Sequence, residues 1–143
     1  MYEVQYPSSH SRNAALLKIQ LGASTLPTDH LPAPENWTAA EVAFSPSHKH
    51  LIVSNRAPDE PRPKNGTDLF AVYPIRDDGS LGLAEFVETG GLGPRHFVVT
   101  KEHLVVGLQK TNEVVLFQIE GDKIGKEVAR VGGVEGVTWV NWL

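Results

Sequence analysis

The 143-residue sequence predicts an all-β protein that is built from repeated four-stranded units. Helical periodicity is nearly absent, and short β-branched or aromatic runs alternate with clusters of Gly, Pro, Asn and Asp, which is typical of strands and turns. One strand pattern recurs in residues 16–19, 72–75 and 116–119. Each copy is followed by a turn and then by a new run of apolar residues. Units of about 40–50 residues with four strands are typical of β-propeller blades. A β-sandwich is the structural alternative, because its strands are also evenly spaced.

Two complete units follow one another along the chain, and we name their predicted strands a to d from the centre of the ring outwards. The first unit has its strands at residues 39–45, 50–55, 68–75 and 84–89. The second unit has its strands at residues 95–100, 103–108, 113–119 and 123–131. Residues 57–67, between strands b and c of the first unit, form a proline-rich and charged insertion that we expect to be a surface loop.

Further strands are predicted at both ends of the sequence. Residues 1–5 are predicted as a strand b, residues 14–21 as a strand c, and part of residues 24–31 as a weak strand d. Residues 136–142 are predicted as another strand a, in which Trp139 and Trp142 fall on opposite faces, one packing between blades and the other closing the chain end. We therefore expect one partial propeller domain of about three blades' worth of strands. Its parts are an incomplete blade at 1–35, full blades at 39–90 and 94–131, and a closing inner strand at 135–143.

The composition indicates a globular protein and excludes several functional classes. Hydrophobic residues make up 41% and charged residues 21%, and the formal net charge is −4. An acidic chain lacks the basic excess of a nucleic-acid-binding surface, and the absence of cysteine excludes disulfides and thiolate metal sites. Since the sequence contains no signal-like or membrane-spanning segment, we expect a cytoplasmic protein without nucleic-acid or membrane partners.

Several motifs resemble a known family, in the right order along the chain. Residues 40–46 (AEVAFSP) and 51–56 (LIVSNR) look like the blade motif of the lactonase-type seven-bladed β-propellers. Residues 89–97 (TGGLGPRHF) resemble the link between blades of that family, TGG-x-x-PR-x-F. The family includes bacterial 6-phosphogluconolactonase and fungal carboxy-cis,cis-muconate cyclase, and Tyr2, Glu3 and the ending at 128–143 are similar to the cyclase branch. Because family members form rings from chains more than twice as long, the resemblance covers only their C-terminal part.

The resemblance implies that Glu3 and Arg56 match channel positions of the family, and we expect them to be catalytic. A lactonase must polarise an ester carbonyl, stabilise an oxyanion and deliver water with a base, whereas a cyclase needs cations that hold carboxylates. Neither scheme requires a metal or a cofactor, and we expect none. The alternatives are that Arg56 forms an exposed salt bridge with Asp59 or Glu60, and that Glu3 belongs to a frayed chain end.

Three further residues, Glu41, Arg95 and His96, are expected to bind the substrate. Glu41 lies in the inner strand of the first unit, and Arg95 and His96 open the inner strand of the second, directly after a Gly-Pro pair. The alternative for Arg95 and His96 is a turn that only sets the spacing of the blades. His48 and His50 lie at a hairpin turn without a third ligand nearby, so they indicate a solvated turn rather than a metal site.

These residues predict a lactonase or muconate cyclase that acts on a small anionic lactone or muconate. In the family, the channel His and a second Arg come from blades that would precede residue 1, so we expect the chain alone to have little or no activity. The alternatives are a catalytically silent propeller fragment and a scaffold that binds peptides. Because three blades cannot enclose a channel, we expect a homodimer in which residues 136–142 of each copy complete the first blade of the other.

Overall fold

The computed structural model describes residues 2–3, 18–19, 24–27, 34–61 and 63–143. Within these residues the chain forms two four-stranded sheets and one two-stranded sheet, all antiparallel, which confirms the predicted all-β architecture. A short 3-10 helix occupies Pro34–Asn36. None of the helical structure in the described residues is long and apolar enough to span a membrane.

Each four-stranded sheet consists of consecutive strands in the order of the sequence, as expected for propeller blades. The first sheet comprises β3 (Thr38–Phe44), β4 (His50–Arg56), β5 (Leu69–Pro74) and β6 (Glu85–Glu88). The second comprises β7 (Pro94–Val99), β8 (His103–Leu108), β9 (Glu113–Glu120) and β10 (Lys123–Gly132). The observed ends differ from the predicted ones by at most one residue, because glycine-containing turns bound most of these strands.

Two short strands, β1 (Tyr2–Glu3) and β2 (Lys18–Ile19), pair antiparallel near the beginning of the chain. The remainder of the strands predicted at 1–5 and 14–21, and residues 28–31 of the weak strand d, lie outside the described residues. Residues 24–27 contain no strand. Residues 133–143 also carry no strand, so the closing-strand role that we expect for residues 136–142 stays a prediction.

The hydrophobic core lies between the two four-stranded sheets, where β7 packs against β3 and β4. Phe70 of β5 lies at its centre, edge-on to Phe97 and Phe117 with ring centroids 5.3 and 6.3 Å away. Burial of each large aliphatic or aromatic side chain stabilises the fold by about 1.5–3 kcal/mol. The other members of this core are Ile52, Val72, Leu104, Val106, Leu108, Val115 and Ile119.

The face of the first sheet that points away from the second is also covered over β4 and β5. Val53, Ala71 and Tyr73 are buried there, and the segment 24–27 contacts the same face. The Asn55 side-chain amide donates to the carbonyl oxygen of Thr25 at 2.8 Å, and the Tyr73 hydroxyl donates to the carbonyl oxygen of Ser24. Burial on both faces explains why β5 is apolar throughout and why Leu51, Ile52 and Val53 follow one another in β4 instead of alternating with polar residues.

The connection between the two sheets is held by the carboxylate of Asp68, which is completely buried. Its Oδ1 accepts a hydrogen bond from the backbone N–H of Ala57 at 3.0 Å, and its Oδ2 accepts one from the N–H of Gly93 at 2.8 Å. The backbone of Asp68 also bonds to the carbonyl oxygen of Gly91 and to the N–H of Thr89. One residue therefore ties the end of β4, the start of β5 and the whole 89–93 link to each other.

We expect the Asp68→Ala variant to lose at least about 2 kcal/mol of the free energy of unfolding, because two buried backbone N–H groups lose their acceptors. Chemical denaturation measures this loss. The matched control is Glu85→Ala on the exposed outer strand β6, which should stay within about 0.5 kcal/mol of the parent. Equal stabilities of the two variants would contradict the role assigned to Asp68.

The same carboxylate should make the stability depend on pH. Burial raises the pKa of Asp68, and the hydrogen bonds from Gly93 and Ala57 only partly oppose the shift. The folded chain then binds this proton more tightly than the unfolded chain, whose carboxyl titrates at about 3.9, so the contribution of Asp68 to stability falls as pH rises above 4. The difference in unfolding free energy between the parent and Asp68→Asn should therefore shrink from pH 4 to pH 7. A difference that grows over this range would refute the sign.

Candidate functional site

The inner strands β3 and β7 are bent by bulges at equivalent places. In β3, Ala40 and Glu41 together oppose one residue of β4, because Ala39 pairs with Asn55 and Val42 with Val53. In β7, Arg95 is the extra residue, because Pro94 pairs with Leu108 and His96 with Gly107. Bulges redirect side chains and are frequent next to binding sites. When the two sheets are compared pair by pair, Glu41 and His96 occupy the same position of their blades.

The hydroxyl of Ser54 joins these two bulges. Ser54 is completely buried in β4 opposite the β3 bulge. Its Oγ accepts a hydrogen bond from the backbone N–H of Glu41 at 3.1 Å and donates to the carbonyl oxygen of Pro94 at 3.0 Å. The bridge fixes the start of β7 beside the bent part of β3, and it brings the side chains of Glu41 and His96 together.

Glu41 and His96 form a close and partly exposed pair. The distance from His96 Nε2 to Glu41 Oε2 is 3.5 Å. His96 Nδ1 accepts from the backbone N–H of Val140 at 3.4 Å, which in the neutral ring assigns the proton to Nε2, where it faces the carboxylate. The other oxygen of Glu41 accepts from the N–H of Val42 at 3.0 Å. The pair therefore orients the carboxylate and leaves no ring nitrogen of His96 free to act as a base.

The C-terminal segment continues the blade pattern although it forms no strand. The N–H of Gly136 donates to Oδ1 of Asn112, just before β9, as the N–H of Gly93 donates to Asp68 just before β5. After this shared contact, Val137 and Val140 are buried against Gly107. Residues 137–140 thus occupy, on the second sheet, the place that the start of β7 occupies on the first.

This correspondence places Trp139 at the position equivalent to His96 and Glu41. The ring centroids of Trp139 and His96 are 6.0 Å apart, and the indole is 63% exposed. We call Glu41, His96 and Trp139 the inner row. In a closed propeller the inner strands surround the central channel, so this row belongs to the part of each blade that is nearest to the channel.

Arg56 ends β4, opposite Thr38. Its side chain leaves the strand on the same face as Ser54, because the two residues are two positions apart. Its positive charge favours the ionised form of Asp68, and its Nε is buried without a hydrogen bond to any described residue. Asp59, one of the acids expected as an alternative partner of Arg56, pairs with Lys110 at 3.0 Å. The catalytic role of Arg56 stays a prediction.

For the remaining candidate site residues, Arg95 and Glu3, the structure gives the position of the backbone. Arg95 is exposed at the β7 bulge, next in sequence to His96. Glu3 pairs through its backbone with Lys18 in the short β1–β2 sheet. The structure thus brings together Glu41, His96 and the Arg95 backbone, while the catalytic role expected of Glu3 stays a prediction.

The hairpin turn with His48 and His50 makes contacts with neighbouring residues of the two sheets. The ring of His48 packs against Phe44, with centroids 5.6 Å apart. Nδ1 of His50 lies 3.6 Å from the carboxylate of Asp122, which also accepts hydrogen bonds from Ser47. These bonds from Ser47 lower the pKa of Asp122. No group of three His, Asp or Glu side chains in the described parts of the chain is arranged to hold a metal ion.

Ser54, Asp68 and Trp139 were not expected to take part in or support the site. Ser54 and Asp68 carry one usable signal, since each is a polar residue inside or next to a strongly apolar strand, where a buried partner is required. Trp139 was expected to pack between blades or to close the chain end. Its alignment with His96 depends on the contact between Gly136 and Asn112, which are 24 residues apart.

Comparison with known proteins identifies the family. Residues 3–142 match the family described as lactonase, 7-bladed beta-propeller, and the chain belongs to this family. It is 30% identical over 97 residues to a 6-phosphogluconolactonase of Formosa agariphila, a match that covers 64% of this chain and 26% of the relative. The expected family is thereby confirmed.

Two solved structures have the same fold over most of the chain. A putative 6-phosphogluconolactonase of Bacteroides fragilis has a TM-score of 0.57 at 22% identity, covering 70% of this chain and 27% of the other. The periplasmic gluconolactonase of Pseudomonas aeruginosa has a TM-score of 0.58 at 19% identity, covering 76% and 29%. The chain therefore spans less than a third of the length of each of these relatives.

Gly107 should control the position of Trp139. A Cβ atom at residue 107 would lie 2.9 Å from Cγ2 of Val137, which is too close for the C-terminal segment to stay in place. We expect Gly107→Ala to weaken or abolish the nuclear Overhauser effect between the Trp139 indole and the His96 ring. The control is Gly132→Ala, where nothing lies within 4 Å of the added Cβ. An unchanged effect in Gly107→Ala would contradict this packing.

Proposed function

We propose that the chain is the part of a lactonase propeller that contributes the inner row to a site for a small anionic sugar lactone. The observation that supports this most is the Glu41 carboxylate, which accepts a hydrogen bond from the N–H of Val42 and lies 3.5 Å from His96, the residue that follows the exposed Arg95. The name of the Formosa relative favours 6-phosphogluconolactone as the substrate. Cyclisation of carboxy-cis,cis-muconate is the alternative reaction, because the chain shares sequence motifs with the cyclase branch of the family.

The proposed chemistry uses the charges of this row. Arg95 would bind the phosphate or carboxylate of the substrate, because a guanidinium matches such groups in two hydrogen bonds. Glu41 would accept a proton from a water molecule while the water oxygen attacks the lactone carbonyl. As the ring C–O bond breaks, the leaving oxygen would take this proton from Glu41, which yields the open hydroxy acid. His96 would act as a positioning residue for Glu41. Arg56 and hydrogen-bond donors of further blades would stabilise the oxyanion, and Glu3 would be a second carboxylate available for proton transfer.

A chimeric ring tests this function. The matching segment of the Formosa relative is replaced by this chain, and hydrolysis of 6-phosphogluconolactone and conversion of carboxy-cis,cis-muconate are both measured. We expect lactone hydrolysis, and we expect Glu41→Gln to reduce kcat/KM at least about 100-fold because a general base is lost. Glu85→Gln on β6 is the matched control and should retain the activity. Full activity of the Glu41→Gln chimera would rule out this role.

The isolated chain should have little or no activity towards either substrate. Loss of one member of a catalytic set costs orders of magnitude in rate, and the family positions expected from preceding blades have no counterpart in this sequence. Steady-state assays of the purified chain measure this directly. A turnover number of about 1 per second or more would contradict the prediction.

We also propose that two copies of the chain join head to tail. Ala43 packs into the core between the sheets, so its neighbours Val42 and Phe44 point to the opposite face of β3, where they are 54% and 56% exposed. At the other end of the chain, Trp142 and Leu143 are exposed. Two exposed apolar ends are a reason for association, since burial of both stabilises the complex.

Size-exclusion chromatography with light scattering should give twice the 15.6 kDa mass of the chain. Deletion of residues 136–143, or replacement of Val42 and Phe44 by Ser, should yield monomers. The control is Leu83→Ser, which alters an apolar side chain that is 91% exposed outside the strands. A stable monomeric parent chain would refute the dimer.

A catalytically silent propeller unit is the second candidate function. It is favoured by the contacts of both ring nitrogens of His96, one with Glu41 and the other with the N–H of Val140. An inactive chimera with an intact fold would support it. For either function we propose a cytoplasmic location, as the sequence predicts, although one structural relative is named as periplasmic.

A further inference from the structure

Trp139 is a large apolar side chain that is exposed beside polar groups. It is 63% exposed, and it continues a row whose other members are a carboxylate and an imidazole. Its backbone is held in place, because Val137 and Val140 on either side are buried and the N–H of Val140 donates to His96. The indole is therefore presented on a fixed support beside polar groups, with its face available for a ligand ring to pack on.

We propose that Trp139 is the platform of a subsite for the six-membered ring of a sugar lactone. The C–H groups on one face of such a ring form an apolar patch that matches the area of an indole, and their partial positive charge suits the negative face of the aromatic system. This inference rests on the proposed function and narrows its substrate class to lactones with a saturated sugar ring.

The geometry of the inner row supplies the remaining contacts. Glu41 and Trp139 are both neighbours of His96, because the carboxylate lies 3.5 Å from Nε2 and the indole centroid lies 6.0 Å from the imidazole centroid. A sugar ring that packs on the indole would then have His96 and Glu41 as its nearest polar side chains in the row, and the carboxylate accepts hydrogen bonds from hydroxyl groups. Arg95 precedes His96 at the bulge and provides the cation for a phosphate on the same molecule. Each of the three contacts recognises a different part of a phosphorylated sugar lactone.

The other two tryptophans of the chain do not share these features. Trp37 is buried at 7% exposure. Trp142 is 39% exposed, and its ring lies 6.0 Å from that of His103, at the opposite end of β8 from Gly107. Since the chain has three tryptophans, its three indole N–H groups report separately on the subsite, on an exposed control and on the interior.

The test is a titration of the ¹⁵N-labelled full chain, followed by nuclear magnetic resonance. The probe is the 1,5-lactam of 6-phosphogluconic acid, in which N–H replaces the ring oxygen, so that the ring is stable to hydrolysis. The Trp139 and Trp142 signals are assigned from Trp139→Phe and Trp142→Phe. Inorganic phosphate is titrated in parallel as a control for anion binding alone.

We expect the lactam to shift the Trp139 indole signal saturably at millimolar concentrations and to leave the Trp142 signal in place. Phosphate should shift the Arg95 amide but not Trp139. Trp139→Leu should weaken lactam binding about tenfold, as followed at the Arg95 amide, because the stacking surface is lost, whereas Trp142→Leu should not.

Three outcomes would overturn the subsite: no shift at any residue, a shift at Arg95 without one at Trp139, or equal affinity of the parent and Trp139→Leu. The titration does not depend on turnover, so it separates this inference from the proposed function. An inactive chimera together with a saturable Trp139 shift refutes hydrolysis and retains the subsite. An active chimera together with a Trp139 indole signal that the lactam does not shift refutes the subsite but not the hydrolysis.

Discussion

The arrangement of the two sheets depends on a carboxyl group that is completely removed from solvent. The Asp68 carboxyl bonds to the backbone of the segment after β4 and of the link before β7, and burial raises its pKa although the charges of Lys110 and Arg56 favour the ionised form. Removing a carboxylate from water is costly unless donors replace the lost hydration. These donors come from segments far apart in the chain, so the carboxylate is satisfied only when both sheets are correctly placed. The interaction therefore stabilises one particular arrangement of neighbouring blades.

Repetition of this arrangement creates the candidate site. The link before β7 and the segment before residue 137 both anchor a glycine N–H to a residue that directly precedes a strand, Asp68 in one case and Asn112 in the other. Because the backbone follows the same course twice, equivalent positions in successive blades come into contact. Residue type at those positions is free to vary without a change of fold, and here it varies from carboxylate to imidazole to indole.

Much of the fold could be predicted from the sequence because strand ends are determined locally. Gly79 and Gly121 adopt positive φ angles in the turns where the strand patterns stop, and such turns are marked by Gly, Asp and Asn in the sequence. The candidate site could be predicted only in part. Glu41 and His96 were identified, but their pairing depends on the Ser54 hydroxyl and on a bulge in each inner strand. The sequence around Ser54 indicates that its hydroxyl needs a buried partner, but it does not indicate which one, because the bridge joins residues 40 positions apart.

Strands β4 and β8 each provide a contact surface for the inner segment of the next blade, and we call this surface a seat. The two seats differ by one side chain. In β4 the seat contains the Ser54 hydroxyl, which donates a hydrogen bond to the carbonyl oxygen of Pro94 at the start of β7. In β8 the equivalent residue is Gly107, and two valine side chains fill the vacant volume. A segment shaped for one seat fits the other poorly, since valine would collide with the hydroxyl and a carbonyl would find no donor. The chain thereby distinguishes between its two blades of similar architecture, which opposes folding with the blades in the wrong order.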